Sequence, residues 1–327
     1  MILAGDIGGT KTTLALCDDK GTIQREATEK SGDWSSLEQI VEKFAPGAVR
    51  AACFGVAGPV VDGIAKITNL PWTIATASLT KLLGGAKVEL QNDLQATALG
   101  MLVIPDSSFA VLQPGAVLQA GERPPNANAT IAVIAPGTGL GEATLFHDGR
   151  SYRALPSEGG HADFAPGTEE EIRLLRYLRG LYGDHVSYER VLSGHGITDL
   201  YGFCRTQADS TEPAWLTTEL STGDKNAAIA KAALANKDTC AVRALAMFVD
   251  VLGAEAGNLA LRGVTTGGII IGGGIPPKIL PALQTGALLA RLTAKGRFQT
   301  WTRALSVRVA LEPRAALLGA AHRATLL

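Results

Sequence analysis

One carboxylate in this sequence lies where an apolar strand is expected to end. In the stretch VELQNDLQATALG, residues 88–100, Val88 and Leu90 are apolar enough for a core strand, and a helix follows Asp93. A buried carboxylate is costly unless a partner or a function compensates for its desolvation. The chemistry that suits it is general-base catalysis, in which Asp93 accepts the proton of an attacking hydroxyl group. The simpler alternative is that Asp93 only caps the next helix.

A second set of polar side chains lies in two short motifs further along the chain. SEGGHADF carries Glu158 and His161 in a loop too rich in glycine for a helix, and VSYERVLSG places Glu189 at the expected start of a helix. Carboxylates and an imidazole can bond to several hydroxyl groups, which favours a polyol ligand. The alternatives are a first-turn carboxylate stabilised by the helix dipole for Glu189 and a structural histidine for His161. A metal site is disfavoured because the spacing is not HExxH and no cysteine is near in sequence.

Three glycine-rich turns could hold phosphate: GDIGGTKT, APGTGLGEA and GGIIIGGGIPP. Glycine lets a backbone approach a ligand and direct several N–H groups at one anion, although any one of these turns alone is more typical of a hairpin. A P-loop is excluded because Thr10 separates Gly9 from Lys11 and a strand follows. A dinucleotide-binding motif is excluded because GTGLGEATLF continues as a strand. The remaining interpretation is a phosphate-binding site formed by the turns of two β-hairpins.

The elements that must position these residues follow from the apolar periodicity. Residues 2–28 predict three strands with a glycine turn after the first, and a helix follows with Ser35 or Ser36 as its cap and apolar residues from Leu37 to Phe44. A strand in VRAACFGVAG, a helix near 76–83, a strand in KVELQND and a helix from 94 to about 103 complete a first βββαβαβα unit.

The opening pattern recurs, which predicts two lobes built on one plan. TIAVIAPGTGLGEATLFHDG again indicates strand, glycine turn and strand, helices dominate residues 168–262, and TTGGIIIGGGIPPKIL indicates strand, glycine turn and helix. We place the lobe boundary in residues 105–129, which are rich in Pro, Gly and Ala. The expected domains are a small α/β lobe at 1–104 and a large α/β lobe at 105–312. The final helix, 313–327, is amphipathic and could pack on either lobe.

The composition narrows the class of protein. The chain has 327 residues, a length that usually exceeds one hydrophobic core, and 46% of them are hydrophobic. A net charge of -1 with no basic stripe disfavours a nucleic-acid or membrane-surface partner. The four scattered cysteines, with no CxxC, are typical of buried or free thiols in a reducing compartment. The start MILAGDIGG is not a signal peptide, so we expect a cytoplasmic protein.

Taken together, the motifs resemble a known family. GDIGGTKT, QND, GTGLG, EGGHADFAP, ERVLSG, GGIIIGGGIPP and KGRF resemble, in this order, the bacterial-type glucokinases of the hexokinase clan. The related ROK group shares DIGGTK, but its zinc-binding cysteine cluster is missing here, and we expect no DNA-binding segment before the first strand. The resemblance implies the α/β, two-lobed actin-like (ribonuclease H-like) ATPase fold, with the active-site cleft between the lobes. It also implies that the carboxyl-terminal helix returns to the small lobe and that the protein is a homodimer.

The resemblance implies a role for each candidate residue. Asp93 is the catalytic base and a sugar ligand, and four further side chains hold sugar hydroxyls: Asn92, Glu158, His161 and Glu189. Asp6 helps to place Mg²⁺, directly or through water. The glycine turns face the nucleotide with these residues: Gly8, Gly9, Thr10, Lys11, Gly137, Thr138, Gly139, Gly273 and Gly274.

The implied activity is that of a glycolytic kinase. It transfers the γ-phosphoryl group of ATP, with Mg²⁺, to the 6-hydroxyl of glucose. One alternative is a kinase for another hexose, namely mannose, fructose or an amino sugar. The alternative from another class of protein is a sugar- and nucleotide-binding sensor without turnover.

Overall fold

The computed structural model describes residues 1–44, 47–67, 70–115, 128–207 and 211–327. The chain divides into two compact units: Met1–Ser108, Ala143–Pro156 and Glu312–Leu327 form the first, and Phe109–Glu142 and Ser157–Leu311 form the second. The expected lobes, 1–104 with 313–327 and 105–312, stay a prediction, and the observed units place Ala143–Pro156 with the first. The expected boundary segment contains residues 116–127, which lie outside the described residues.

The strands follow the predicted order, with additions. Their bounds are β1 (Ile2–Ile7), β2 (Lys11–Cys17), β3 (Ile23–Lys30), β4 (Ala51–Val56), β5 (Val60–Val61), β6 (Ile64–Lys66), β7 (Thr73–Ala75), β8 (Lys87–Asn92), β9 (Phe109–Pro114), β10 (Ile131–Pro136), β11 (Leu140–His147), β12 (Tyr152–Leu155), β13 (Ile269–Ile271) and β14 (Ser306–Ala310). The small sheet β5-β6-β7 was not predicted, because strands of two or three residues are too short to show alternation.

The helices lie mostly where the sequence predicts them. Their bounds are α1 (Leu37–Phe44), α2 (Thr76–Leu82), α3 (Asp93–Gly100), α4 (Glu169–Tyr182), α5 (Gly194–Thr206), α6 (Ala214–Thr222), α7 (Lys225–Leu234), α8 (Thr239–Gly263), α9 (Leu280–Leu283), α10 (Ala287–Thr293), α11 (Gln299–Arg303) and α12 (Ala315–Thr325). The prediction for α1 is confirmed, since its apolar residues from Leu37 to Phe44 are buried.

The central sheet of the first unit has the strand order β3-β2-β1-β4-β8. β1 is antiparallel to β2 and parallel to β4, and β4 is parallel to β8. Ile7 pairs with Val56, and Val56 pairs with Asn92, so the carboxyl ends of β1, β4 and β8 lie level at one end of the sheet. This register brings the residues that follow β1 and β8 to the same end.

The final helix belongs to the first unit. α12 packs on α3, β1 and β4, and its buried face includes Leu317, Ala320 and Ala324. Arg323 forms two hydrogen bonds with the Glu89 carboxylate on β8, at 2.9 and 2.7 Å. The amphipathic pattern alone left the partner of this helix open, because it does not say which apolar surface the helix covers, whereas the family resemblance implied the small lobe.

The second unit combines a sheet with a helical core. Its strands have the order β11-β10-β13-β14-β9, with β10, β13 and β14 parallel and β9 antiparallel to β14. Only the first part of β11, up to Glu142, belongs to this unit, and the rest of the strand, from Ala143, belongs to the first unit. α8 is long and apolar enough to span a membrane by composition, but 72% of its apolar window is buried inside the structure, as in a core helix.

All four cysteines are buried and free, which confirms the prediction from their spacing. Burial raises the pKa of the Cys17 thiol to about 11. A thiol with a raised pKa is protonated at neutral pH and reacts poorly as a nucleophile.

Candidate active site

The first part of the site is a pair of carboxylates at the carboxyl ends of β1 and β8. Asp6 is half-buried near the end of β1, and Asp93 is the first residue of α3, directly after β8. Burial and the negative charge of Asp93 raise the pKa of Asp6, whereas the positive charge of Lys11 lowers it. The two carboxylates therefore interact repulsively, and a divalent cation with oxygen ligands would relieve that repulsion.

The cap of α3 is Asn92. Its Oδ1 accepts a hydrogen bond from Leu94 N at 2.9 Å, and its Nδ2 donates to Gly58 O at 3.1 Å. Asp93 Oδ1 also accepts from Leu94 N, at 2.8 Å. The N-cap position of α3 is thus filled by Asn92, and the Asp93 carboxylate adds a second contact to the same backbone N–H. Asn92 was predicted as a sugar ligand, and the structure shows that its amide also holds the start of α3 in place.

The first glycine turn connects β1 to β2. Gly8 N donates to Lys11 O at 2.9 Å and closes the hairpin. Ser31 braces the turn from outside, since its Oγ donates to Gly8 O at 2.8 Å and its backbone N donates to Thr10 O at 3.0 Å. Gly9 is half-buried, and Thr10 and Lys11 are exposed. The turn is thus fixed by hydrogen bonds while its outer face remains accessible to an anion.

The second and third glycine turns line one cavity in the second unit. β10 and β13 are parallel neighbours, so the turns that follow them leave the same end of the sheet. Gly137 N donates to Gly139 O at 2.8 Å, and Gly272 N donates to Ile134 O at 2.8 Å. The cavity has a volume of ≈ 270 Å³, and its lining includes Gly137, Thr138, Asp224, Asn226, Gly274 and Lys278. Its size and its two glycine turns suit part of a nucleotide.

The motif SEGGHADF forms a turn that pairs with the segment before Glu189. Glu158 precedes a short 3-10 turn, Gly159–His161, and both Glu158 and His161 are exposed. Backbone hydrogen bonds join the two segments, from Tyr188 N to Ala162 O at 3.0 Å and from Phe164 N to Val186 O at 2.8 Å. The sequence placed these two motifs nearly thirty residues apart, and the structure makes them neighbours.

Glu189 links this region to the second glycine turn. Its Oε2 accepts a hydrogen bond from Leu140 N at 2.9 Å, and a Cβ atom placed on Gly139 would overlap that same oxygen. Glu189 lies in a 3-10 turn, Tyr188–Arg190, whereas α5 begins at Gly194. Glu189 therefore lies at a helix start as expected, although this helix is a single 3-10 turn that precedes α5.

Sequence reasoning missed several polar residues of the second unit. Asp224, Asn226 and Lys278 line the cavity, and Glu142 is buried close to Gly159. Only Glu142 had a recognisable signal, since GTGLGEATLF places a carboxylate in an otherwise apolar strand. The predicted site residues are thus divided: Asp6, Gly8 to Lys11, Asn92 and Asp93 lie in the first unit, and the others lie in the second.

Comparison with known proteins extends this picture to the whole chain. A family model described as Glucokinase matches residues 3–326. A glucokinase from Nostoc sp. is 40% identical over 342 residues, which cover 98% of each chain. The structure of a glucokinase from an Antarctic psychrotroph matches with a TM-score of 0.83 and 29% identity, covering 100% of this chain and 99% of that one. A glucokinase from Balamuthia mandrillaris, solved with glucose, matches with a TM-score of 0.79 and 25% identity, covering 99% and 93%.

The fold and the structural matches place the chain in one class of protein, which has the α/β, two-lobed actin-like ATPase fold of sugar kinases. Within that class, the chain belongs to the glucokinase family. It is an enzyme with glucokinase activity, which confirms the family that the motifs of the sequence resemble.

Proposed function

We propose that the chain transfers the γ-phosphoryl group of ATP, with Mg²⁺, to the 6-hydroxyl of glucose, and that Asp93 is the general base. The observation that carries this proposal is the Asp6–Asp93 pair at the end of the first sheet, next to the glycine turn that begins at Gly8. Phosphoryl transfer requires a base, a cation ligand and backbone N–H groups that can hold phosphate. Asp93, Asp6 and the glycine turn would supply these three.

The proposed steps at the acceptor involve the candidate sugar ligands and the base. Glu158, His161, Glu189 and Asn92 hold the sugar hydroxyls, so that the 6-hydroxyl is oriented toward the phosphoryl group. Asp93 accepts the proton of that hydroxyl as the oxygen attacks phosphorus, and ADP leaves. Asn92 supports this role, because its hydrogen bonds to Leu94 N and Gly58 O fix the backbone from which Asp93 projects.

The nucleotide is assigned to the glycine turns and the cavity. Backbone N–H groups of Gly8 to Lys11, Gly137 to Gly139, and Gly273 and Gly274 would hold the phosphates. The ≈ 270 Å³ cavity would take the remainder of the nucleotide, with Asp224, Asn226 and Lys278 as its polar lining. This assignment is supported by the hydrogen bonds that keep the turns in place.

Asp6 is the residue that fits Mg²⁺. Its pKa is raised by burial and by Asp93, and a bound dication would favour its charged form. When bound, the ion would neutralise charge on the phosphates.

We expect Asp6→Asn to raise the Mg²⁺ concentration for half-maximal activity about tenfold or more, which corresponds to roughly 1.4 kcal/mol of lost binding. A Mg²⁺ titration at fixed ATP measures this. Asp18→Asn is the matched control, because Asp18 is a half-buried carboxylate in the turn between β2 and β3 and its hydrogen bonds suit Asn equally well. An unchanged Mg²⁺ requirement in Asp6→Asn would remove Asp6 as a metal residue.

Glu158 provides a separate test of the sugar-binding turn. We expect Glu158→Gln to weaken glucose binding by roughly tenfold to a hundredfold, because a hydrogen bond to a charged group contributes about 1.5–3 kcal/mol. Isothermal titration with glucose measures the affinity, and metal analysis of the same protein should find no stoichiometric zinc. The control is Glu169→Gln, an exposed carboxylate of α4 in the same unit. Tight zinc that is lost together with activity in Glu158→Gln would show a metal role instead.

The activity itself is tested by ADP release with a panel of hexoses. We expect the highest kcat/KM with glucose and formation of glucose 6-phosphate. A higher kcat/KM with mannose, fructose or an amino sugar would identify another hexose kinase. Sugar and nucleotide binding without ADP release would identify a sensor.

The remaining proposals concern the subgroup, the cellular location and the oligomeric state of the enzyme. We propose the bacterial-type group of the hexokinase clan and not the zinc-containing ROK group, because the described residues contain no cluster of three or more His, Cys, Asp or Glu side chains that could hold a metal. We also propose a cytoplasmic homodimer that acts in glycolysis. Gel filtration with light scattering tests the dimer.

A further inference from the structure

Two carboxylates are buried together near the candidate sugar-binding turns. The side chain of Glu142 on β11 is 1% exposed, and that of Glu255 on α8 is fully buried. Glu255 accepts hydrogen bonds from Arg262 Nη1 at 2.7 Å and from Asn258 Nδ2 at 3.0 Å. The Glu142 oxygens, by contrast, meet no hydrogen-bond donor in the part of the chain that the structure describes. Arg262 Nη1 lies 3.7 Å from Glu142 Oε2.

Glu142 lies directly against the turn that carries Glu158 and His161. A Cβ atom placed on Gly159 would overlap Glu142 Oε2, and one placed on Gly160 would overlap the carbonyl oxygen of Leu140. Two successive glycines therefore let the turn rest on the first residues of β11 with no side chain between them. The position of the Glu142 carboxyl group limits how closely the turn approaches the strand.

The same buried cluster reaches the turn that carries Glu189. Asn258 Nδ2 donates to Tyr188 Oη at 3.2 Å as well as to Glu255. Lys295 Nζ donates to Asn258 Oδ1 at 2.6 Å and so holds that amide in place. Tyr188 is buried and directly precedes Glu189. Lys295 is the first residue of the KGRF motif. Its contact with Asn258 gives it a structural role, separate from the proposed phosphoryl transfer.

We propose that Glu142 is a positioning residue for glucose: its carboxyl group supports the Gly159 backbone and so holds Glu158 and His161 where they bind the sugar. Glu142 does not touch the sugar and acts through the turn. Glu255 fixes Glu142 and, through Asn258 and Tyr188, connects the two sugar-binding turns. This inference rests on the proposed function, because it requires Glu158 and His161 to bind glucose.

The protonation of Glu142 determines whether this support is in place. Burial raises the pKa of Glu142 to about 7, the charge of Glu255 adds to the effect, and Arg262 opposes it. A protonated Glu142 can donate to Glu255, which supplies the hydrogen bond that its oxygens otherwise lack.

The other groups that face the cluster are Tyr188 and Lys295. Burial raises the pKa of Tyr188, so it stays neutral, and burial lowers the pKa of Lys295. As the pH rises through about 7, Glu142 loses its proton and the two carboxylates repel each other next to Gly159. Glucose binding should therefore weaken with rising pH.

Glu142→Gln tests this directly, because its amide keeps a donor for Glu255 and cannot ionise. We measure the KM for glucose and the KM for ATP between about pH 6 and about pH 8.5 in both proteins. The glucose KM of the unmodified protein should rise several-fold across this range, whereas that of Glu142→Gln should stay level. The ATP KM should show the same pH profile in both. Parallel glucose profiles, or a level profile in the unmodified protein, would overturn the proposal.

Two further variants keep the test decisive. Glu171→Gln is the matched control, since Glu171 is a buried carboxylate of α4 paired with Arg291 at 2.7 Å, and its glucose KM should keep the pH dependence of the unmodified protein. Gly159→Ala pushes a methyl group against Glu142 and should raise the glucose KM about tenfold or more, equivalent to roughly 1.4 kcal/mol. A glucose KM unchanged in Gly159→Ala would contradict the proposal even if Glu142→Gln did not fold. If the unmodified protein forms no glucose 6-phosphate, the proposed function fails; if it does and the profiles are parallel, only the positioning role fails.

Discussion

Asp93→Asn should lower kcat by roughly a hundred- to ten-thousand-fold, the usual contribution of a general base. Asn has almost the size of Asp and retains an oxygen for the hydrogen bond from Leu94 N, but it cannot accept the proton of the glucose hydroxyl. Glucose and ATP should still bind, because their other proposed ligands are unchanged. The melting temperature should change little, because the cap of α3 is the neighbouring Asn92.

Steady-state kinetics, glucose affinity and the melting temperature are measured on one preparation of the variant. Asp62→Asn is the matched control, because Asp62 is an exposed residue of the first unit whose φ of 49° is one that Asn adopts readily. Near-normal turnover in a folded Asp93→Asn protein would show that another group is the base. A large loss of stability would instead mean that Asp93 is mainly structural.

The second large effect is expected where α12 crosses α3. A Cβ atom on Gly319 would overlap the carbonyl oxygen of Ala96, and one on Gly100 would overlap that of Ala315. Gly319→Ala forces the two helices apart, and overpacking of this kind costs typically about 1–3 kcal/mol of unfolding free energy, sometimes more. Chemical denaturation measures the loss.

Gly180→Ala is the control for this change. Gly180 lies in α4, and a Cβ atom added to it would meet no atom of the described residues within 4 Å, beyond its chain neighbours and the backbone of its own helix. The same substitution there should therefore stabilise the protein by roughly 0.5–1 kcal/mol. Gly319→Ala should also reduce turnover, because α3 begins with Asp93 and moves as its packing changes. Equal stability of the two variants would contradict the close helix crossing.

The local elements could be predicted from the sequence because each has a repeating pattern. The apolar residues between Leu37 and Phe44 follow helical spacing, and all of them lie on the buried face of α1. The glycine turns after β1 and β10 were visible because two strand patterns flank each of them. Short strands such as Val60–Val61 were not visible, since two residues carry no period.

The site could be predicted by residue type but not by arrangement. Glu158 and Glu189 were found because they are carboxylates in short polar motifs, and nothing in their spacing showed that their segments pair through Tyr188 N and Ala162 O. Glu142 went unnoticed although it, like Asp93, is a carboxylate beside apolar strand residues. Its partner Glu255 lies more than a hundred residues away on α8, and only the packing of that helix reveals the pair.

A single-turnover measurement isolates the step in which Asp93 is proposed to take the proton of the glucose hydroxyl. Enzyme in excess over labelled ATP, with saturating glucose and Mg²⁺, is quenched at short times, so that product release does not limit the observed rate. We predict that Asp93→Asn forms glucose 6-phosphate at least about a hundredfold more slowly than the unmodified protein in this assay. An equal single-turnover rate in the two proteins would contradict the assignment of Asp93 as the base.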